Sequence, residues 1–389
     1  MTLKPPKRGF DLAEFEARTA AVQEKMHEHN LDALLLTTEP HVRYFSGFFT
    51  QFWQSPTRPW FLIVPLTGKP IAVIPGIGEV GMRSTWIEDV RLWSSPRPED
   101  DGISLLTSTI NELPKRFGKI GATLGAESYL KMPANDFQLL KDNLSGTSFV
   151  DFSAILHRLL CVKSSAEIEK TKFVCELTSD SFIELPNFAR LGHSEREIVQ
   201  AMRIDLLQRG ADNTPYIISG SGPDGYDSII MGPTDRVLNE GDVLIIDTGT
   251  TFDGYFSDFD RNYAFGNASD ITKRAYETVY KATDAGFATA KPGITTTDIW
   301  RSMWDVLQKG GAEGNDVGRM GHGLGMQLTE WPSITAKDNT VLEAGMVITL
   351  EPGMSYDNGK QMVHEENILI TEDGAVMLSN RASAELVII

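Results

Sequence analysis

Apolar and polar positions along the chain alternate between two periods. Residues Phe15 to about Asn30 show helical spacing with many charges, and the apolar run in LDALLLTTEP, ended by Pro40, predicts a short buried strand. PWFLIVPL and GKPIAVIPG repeat the strand-and-turn pattern, GISLLTSTINELPKRFG reads as a helix, and KIGATLG as a further strand. Strands alternating with helices predict an α/β layer for the N-terminal part. A charged helical stretch follows, SSAEIEKTKFVCELTSDSFIELPNFARLG, with Ser164 or Ser165 as N-cap and Glu167 in its first turn. SEREIVQAMRIDLLQRG gives a second helix, capped by Ser194 and stopped by Gly210. KRAYETVYKATDAGFATA and TTDIWRSMWDVLQKGG give two more, broken by Pro292–Gly293. Between the helices lie YIISGSG, DVLIIDTGTTFDGYFSDFDRNYAFG, MVITLEPGMSY and ENILITEDGAVML, which read as strands, with a hairpin turn at Asp253–Gly254. The C-terminal part is therefore expected to be α+β. The expected domains are 10–155 and 156–389.

Composition narrows the function classes. The chain has 389 residues, 41% hydrophobic and 23% charged, which excludes a disordered chain and suits two or three domains. With 36 Lys and Arg against 53 Asp and Glu, the net charge of −17 argues against nucleic acid and anionic membranes as partners. No stretch approaches the roughly 18 apolar residues of a membrane span, and the first residues lack the apolar core of a secretory signal. Two cysteines, Cys161 and Cys175, are too few for a disulfide framework and read as reduced thiols of a cytoplasmic protein. GSGPDG lacks the strand–turn–helix setting of a dinucleotide fingerprint, and there is no phosphate-loop motif.

The chemistry concentrates at strand ends. Asp247 closes the apolar run VLIID, and Asp258 follows across the turn. His322 sits among the glycines of GHGLG, Glu351 ends ITLE, and Glu365 opens EENILI. An acidic residue at a strand end is ordinarily a solvated turn carboxylate. Four of them in order with one imidazole form an oxygen-rich set suited to Mn, Fe, Co or Zn. Two divalent ions would offset the four carboxylate charges; without them the carboxylates repel and some stay protonated.

At these motifs the chain resembles the creatinase/prolidase/methionine-aminopeptidase group, the pita-bread metallopeptidases. LDALLLTTEPHVRYFSGF is similar to the N-terminal domain of the prolidase and aminopeptidase P members. VKSSAEIEKTKFV is similar to their linker helix. GPTDRVLNEGDVLIIDTGTTFDGYFSD, GHGLGMQLTEWP, LEAGMVITLEPGM and ENILITEDG are similar to their catalytic motifs. The resemblance implies an α/β creatinase-like N-terminal domain followed by an α+β pita-bread catalytic domain. It implies two divalent ions, Mn first, held by Asp247, Asp258, His322, Glu351 and Glu365. Glu366 is the alternative to Glu365, because a slip by one residue would exchange their faces. It further implies a homodimer acting on a small molecule or short peptide, with Glu351 also receiving a water proton.

Departures from the family pattern are as informative. The peptidases carry a His four residues before the Thr of HxxPTDR, where this chain has Ile230. They carry a second in GHGxGLxxHExP, where it has Thr329. Of the seven histidines (His27, His29, His41, His157, His193, His322 and His364) none fills either place. SDxTRT reads SDFDRN, so Asp260 replaces a Thr, and the Arg two before the last ligand is Val363, beside His364. Thr329, Asp260 and His364, with Glu351, are therefore the candidate proton-handling residues. Losing one general acid–base group costs about 10²–10⁴ in rate, so the departures point to hydrolysis of an amide or related C–N bond in a small, non-peptide substrate. Three alternatives stay open: an Xaa-Pro aminopeptidase or dipeptidase with relocated proton carriers, a metal-assisted lyase of the dimethylsulfoniopropionate lyase type, and a catalytically silent binding module. The aromatic segment FSGFFTQFWQSPTRPWF supplies Trp53 and Arg58 as candidate substrate contacts by analogy with the loop that covers a partner's site in prolidase-like dimers. Tyr226 and Trp331 complete the expected pocket.

Overall fold

The computed structural model describes residues 4–314 and 318–389. It divides the chain into two compact units, Lys7–Leu160 and Cys161–Ile389, the latter with the residues ahead of Lys7.

The N-terminal unit is built on α1 (Leu12–Glu28), β1 (Ala33–Leu36), α2 (Glu39–Ser46), β2 (Phe61–Pro65), β3 (Ile71–Pro75), α3 (Glu79–Arg83), β4 (Asp89–Trp93), α4 (Ile103–Glu112), β5 (Lys119–Ala122), α5 (Ala134–Asn143) and β6 (Ser148–Asp151). Helix α6 (Ser153–Cys161) ends at the division between the units. The six strands form one mixed sheet in the order β4-β3-β2-β1-β5-β6. Strands β1, β2 and β3 are buried at every residue, which explains their unbroken apolar runs. Pro40 does not end the first strand. It opens α2, where its missing N–H leaves no helical bond unmade.

The C-terminal unit begins with α7 (Ser165–Phe188) and α8 (Glu195–Arg209), then β7 (Asn213–Pro223), β8 (Asp242–Phe252), β9 (Tyr255–Phe256) and β10 (Phe259–Ala264). Helices α9 (Asp270–Thr289) and α10 (Thr296–Lys309) follow, then β11 (His322–Gly323), β12 (Glu330–Ser333), β13 (Val347–Leu350), β14 (Gly353–Tyr356), β15 (Lys360–Val363), β16 (Glu366–Ile370), β17 (Ala375–Met377) and β18 (Val387–Ile388). The caps follow the residue chemistry. Ser164 with Glu167, and Ser194 with Glu197, close capping boxes at α7 and α8. Gly210 ends α8 in the left-handed conformation.

Strands β18-β10-β8-β7 form one sheet, with β9 paired to β8, and β12-β11-β13-β16-β17 form another. Strand β8 serves two cores at once. Val243 and Ile245 enter a cluster with α9 and α10, whereas Leu244 and Ile246 enter one with α7 and α8. The alternation fixes which way the next residue on the Val243–Ile245 face, Asp247, is directed.

Candidate metal centre

Three strand junctions bring the carboxylates together. The turn at Asp253 and Gly254, both at positive φ, folds β8 back through β9 towards β10. The register sets Asp260 opposite Asp247 and Phe259 opposite Thr248. Asp258 lies two residues from Asp260, so all three aspartates share one face of the hairpin. In the second sheet Leu350 pairs with Glu366, and continuing that register by one residue brings Glu351 opposite Glu365.

His322 enters between the two sheets' acids on a glycine-flanked strand. A Cβ on Gly321 would stand 2.3 Å from the Thr349 carbonyl oxygen, and one on Gly323 2.3 Å from that of Trp331. No larger residue fits at either place. The imidazole Nδ1 lies 2.8 Å from the Gly323 carbonyl oxygen, so Nδ1–H donates there and Nε2 keeps its lone pair. That Nε2 is 3.3 Å from Asp258 Oδ2 and 3.7 Å from Glu351 Oε1. Ligand atoms of Asp258, His322 and Glu365 all lie within 4.8 Å of one another. Asp247 Oδ1, Glu351 Oε1 and Glu365 Oε1 are buried without a hydrogen-bond partner among the described residues. Unpaired buried carboxylate oxygens are costly unless a cation or proton meets them, so this donor set fits divalent metal.

Strand alternation separates Glu365 from its neighbour. Glu366 turns away from the cluster and accepts from Arg261 Nη2 at 3.0 Å and Arg381 Nη1 at 3.1 Å, with Ser379 also donating to it. Burial alone would raise its pKa, but the Arg261 charge and the bonds to His364 and Ser379 hold it far below the carboxylate range. Glu366 is thus already neutralised by arginine, while Glu365 is not.

The cluster's protonation follows from its burial. Asp247 is pushed up to about 7 by burial and then by Asp258, against the hydroxyl of Tyr216, which donates to Asp247 Oδ2. Glu351 reaches about 7 through burial, moderated by His322. Burial raises Asp258, Asp260 and Glu365 well above the carboxylate range, with neighbouring carboxylates adding to the rise at the last two. Between the ordinary carboxylate value and pH 7 or above, the metal-free native chain therefore binds more protons than the unfolded chain, and its stability falls as pH rises. His41, His322 and His364, all lowered by burial, act with the opposite sign, but only below about pH 6.5, the ordinary histidine value. The net fall should be steepest above it. Scanning calorimetry of metal-free protein is expected to show Tm dropping by more than about 5 °C from about pH 6.5 to 8, with added Mn²⁺ abolishing the drop. A flat or rising Tm would contradict this protonation pattern.

Several expected site residues have other surroundings. His364 is fully buried, bonded through Nε2 to Arg381, stacked on Tyr280 and 3.9 Å from Asp260 Oδ1 through Nδ1. Arg381 and Tyr280 thus enclose the imidazole on the side away from Asp260. Tyr226 is enclosed as well. It is 1% exposed, and its hydroxyl donates to Asn262 Oδ1 and accepts from Val363 N–H. Trp53 is 3% exposed and packs against Trp60 in the N-terminal unit. Arg58, in the same unit, is half-buried and donates to Ser95 Oγ at 3.0 Å. Trp331 is partly buried against the α9–α10 core. Asp260 stays with the cluster, 1% exposed and opposite Asp247. Ile230 is 76% exposed. Thr329 Oγ1 accepts a hydrogen bond from Arg319 Nη2 at 3.1 Å.

Arg319, Tyr216 and Asn367 were not anticipated. Asn367 pins Asp258 from both sides, accepting from its N–H and donating to its carbonyl. The available signal for Arg319 was a single cation in the glycine-rich run GRMGHGLG, three residues ahead of His322.

Comparison with known proteins gives the family. Residues 18–160 match the creatinase/prolidase N-terminal domain, and residues 169–372 match metallopeptidase family M24. The probable dipeptidase PepE of Mycobacterium tuberculosis is 28% identical over 378 residues, 96% of each chain. The crystal structure of dipeptidase PepE from Mycobacterium ulcerans superposes with a TM-score of 0.85 at 27% identity, covering 98% of this chain and 99% of that one. That of recombinant prolidase from Thermococcus sibiricus gives 0.87 at 26% identity, covering 98% and 100%. The creatinase-like plus pita-bread architecture expected from the motifs is therefore present, and the chain belongs to metallopeptidase family M24, a family of hydrolases.

Proposed function

We propose that this protein is a dinuclear-metal hydrolase that cleaves an amide or related C–N bond of a small substrate. The observation that carries the reading is the convergence of Asp258, His322 and Glu365 donor atoms within 4.8 Å, beside buried, unpartnered oxygens of Asp247 and Glu351. Asp247, Asp258, His322, Glu351 and Glu365 would hold two divalent ions, Mn²⁺ by preference. Ions bound there supply a Lewis acid for the substrate carbonyl and lower the pKa of water. Glu351, raised to about 7 by burial and 3.8 Å from the Arg319 Nε, is placed to take up the proton that water gives up. Tyr216 and the Gly323 carbonyl orient Asp247 and His322.

A second reading, a dipeptidase whose proton carriers have moved, is favoured by relatives named dipeptidase and prolidase along nearly the whole chain. A homodimer in the cytoplasm belongs to the same proposal. Among the described residues no helix is long and apolar enough to cross a membrane.

Turnover separates the two readings. Mn-loaded protein is expected to release amine from a member of a panel of small amides and betaine amides, with Xaa-Pro dipeptides at least about 10²-fold slower, as loss of one acid–base group implies. Equal or faster cleavage of Xaa-Pro dipeptides would establish the dipeptidase reading instead. Formation of an ultraviolet-absorbing unsaturated acid without amine release would replace both with a lyase.

A further inference from the structure

Arg319 stands beside the metal centre, near Glu351 but without a short hydrogen-bonded ion pair. Its Nη2 donates to Thr329 Oγ1 at 3.1 Å and its Nη1 to Ser333 Oγ at 3.4 Å, both neutral hydroxyls. Its Nε lies 3.8 Å from Glu351 Oε1, beyond hydrogen-bond distance. The arginines that hold this fold together behave differently. Arg236 grips Asp242 through two bonds of 2.7 and 2.8 Å, and Arg261 meets Glu366 at 3.0 Å. A guanidinium serving only to secure Glu351 would close on it in the same way. Arg319 is instead propped by hydroxyls from the segment that follows GHGLG, with its side chain 31% exposed. One of those props is Thr329, the residue standing where the family's peptidases carry their second imidazole.

We infer that Arg319, propped by Thr329, is an anion-binding residue of the site, receiving the negatively charged oxygen of a tetrahedral adduct. This rests on the hydrolase reading above. When a water oxygen adds to the amide carbon, the C=O π pair moves onto oxygen, and the guanidinium donates N–H bonds to that oxygen. When the pair returns, the C–N bond breaks and the amine leaves with the proton that water gave up. A guanidinium stays charged across the whole working pH range, so it supplies charge stabilisation without any proton exchange of its own.

The test is binding of methylphosphonate, a small tetrahedral anion, to Mn-loaded protein by calorimetry, with metal content measured on the same samples. Arg319→Met is expected to weaken methylphosphonate by about 10- to 100-fold at unchanged Mn content, as loss of charge-assisted hydrogen bonds implies. Arg319→Lys, which keeps the charge but not the fork, should fall between. Unchanged affinity in Arg319→Met, or no binding by Mn-loaded wild type, overturns the inference and leaves the hydrolase reading standing. If Arg319→Met loses Mn, Arg319→Lys and Thr329→Val decide: weaker anion binding at full metal supports the inference, and unchanged binding overturns it. Wild type that takes up no Mn sinks the hydrolase reading and this inference together.

Discussion

Asp258→Ala is expected to strip the protein of divalent metal without unfolding it. Asp258 is in the tightest group of donors, with its Oδ2 3.3 Å from His322 Nε2 and its carboxylate within 4.8 Å of Glu365. Its backbone is clamped by Asn367, so no neighbouring side chain can take its place without moving β10. Removing it also removes one member of a mutually repelling buried set, the main neighbour raising Asp247. Two effects of opposite sign follow. Metal per chain, measured by mass spectrometry after Mn loading and desalting, should fall from about two to below about 0.2. The metal-free variant should unfold at a temperature equal to or above that of metal-free wild type at pH 8. A variant that keeps its metal would remove Asp258 from the centre, and one that fails to fold would show that the carboxylate serves structure.

Arg261→Met is the largest expected loss of stability. The guanidinium is buried and has four acceptors: the Asp260, Glu365 and Asn380 carbonyls, at 2.6, 3.0 and 2.5 Å, and Glu366 Oε2 at 3.0 Å. It ties the end of β10 to the entry of β16, the two places that supply Asp258 and Glu365. Its loss leaves the fully buried Glu366 with Arg381 alone as cationic partner and takes one donor from each of three carbonyls. Breaking a buried ion pair by removing one partner costs about 3–5 kcal/mol, which for a unit of this size lowers Tm by about 10 °C or more. The double change Arg261→Met with Glu366→Met should recover part of the loss, since no uncompensated carboxylate then remains. A Tm within about 2 °C of wild type in the single variant would contradict this role.

Most of the architecture was legible in the pattern of apolar residues, for physical reasons that also show its limits. The capping boxes at Ser164 and Ser194, the αL stop at Gly210 and the turn at Asp253–Gly254 are local chemistry, and they lie where sequence places them. The short N-terminal strand β4 buries only Val90 and Trp93 among charged and exposed positions, and helix α5 buries little, so neither left a clear period. The ordered acids and GHGLG were readable because ligand types and close-approach glycines are intrinsic to the residues. Which of Glu365 and Glu366 faces the centre was not, because a one-residue shift is decided by β13–β16 pairing. The same holds for the partners of polar side chains. His364 reads as a proton carrier in the sequence because it adjoins Glu365. Strand geometry and Arg381, from 17 residues further on, enclose it. Tyr216 reaches the centre from a segment with no motif of its own, and Arg319, three residues ahead of His322, has partners in Thr329 and Ser333 that only the folded chain sets.

The central claim is that five residues from three strand junctions hold two ions. Anomalous scattering at the manganese edge from a Mn-soaked crystal tests it most directly. Two peaks are predicted, each within about 2.5 Å of oxygens of the four carboxylates, one of them also bound by His322 Nε2. No peak at the cluster, or a single ion held by Asp258, His322 and Glu365 with Asp247 left out, would contradict it.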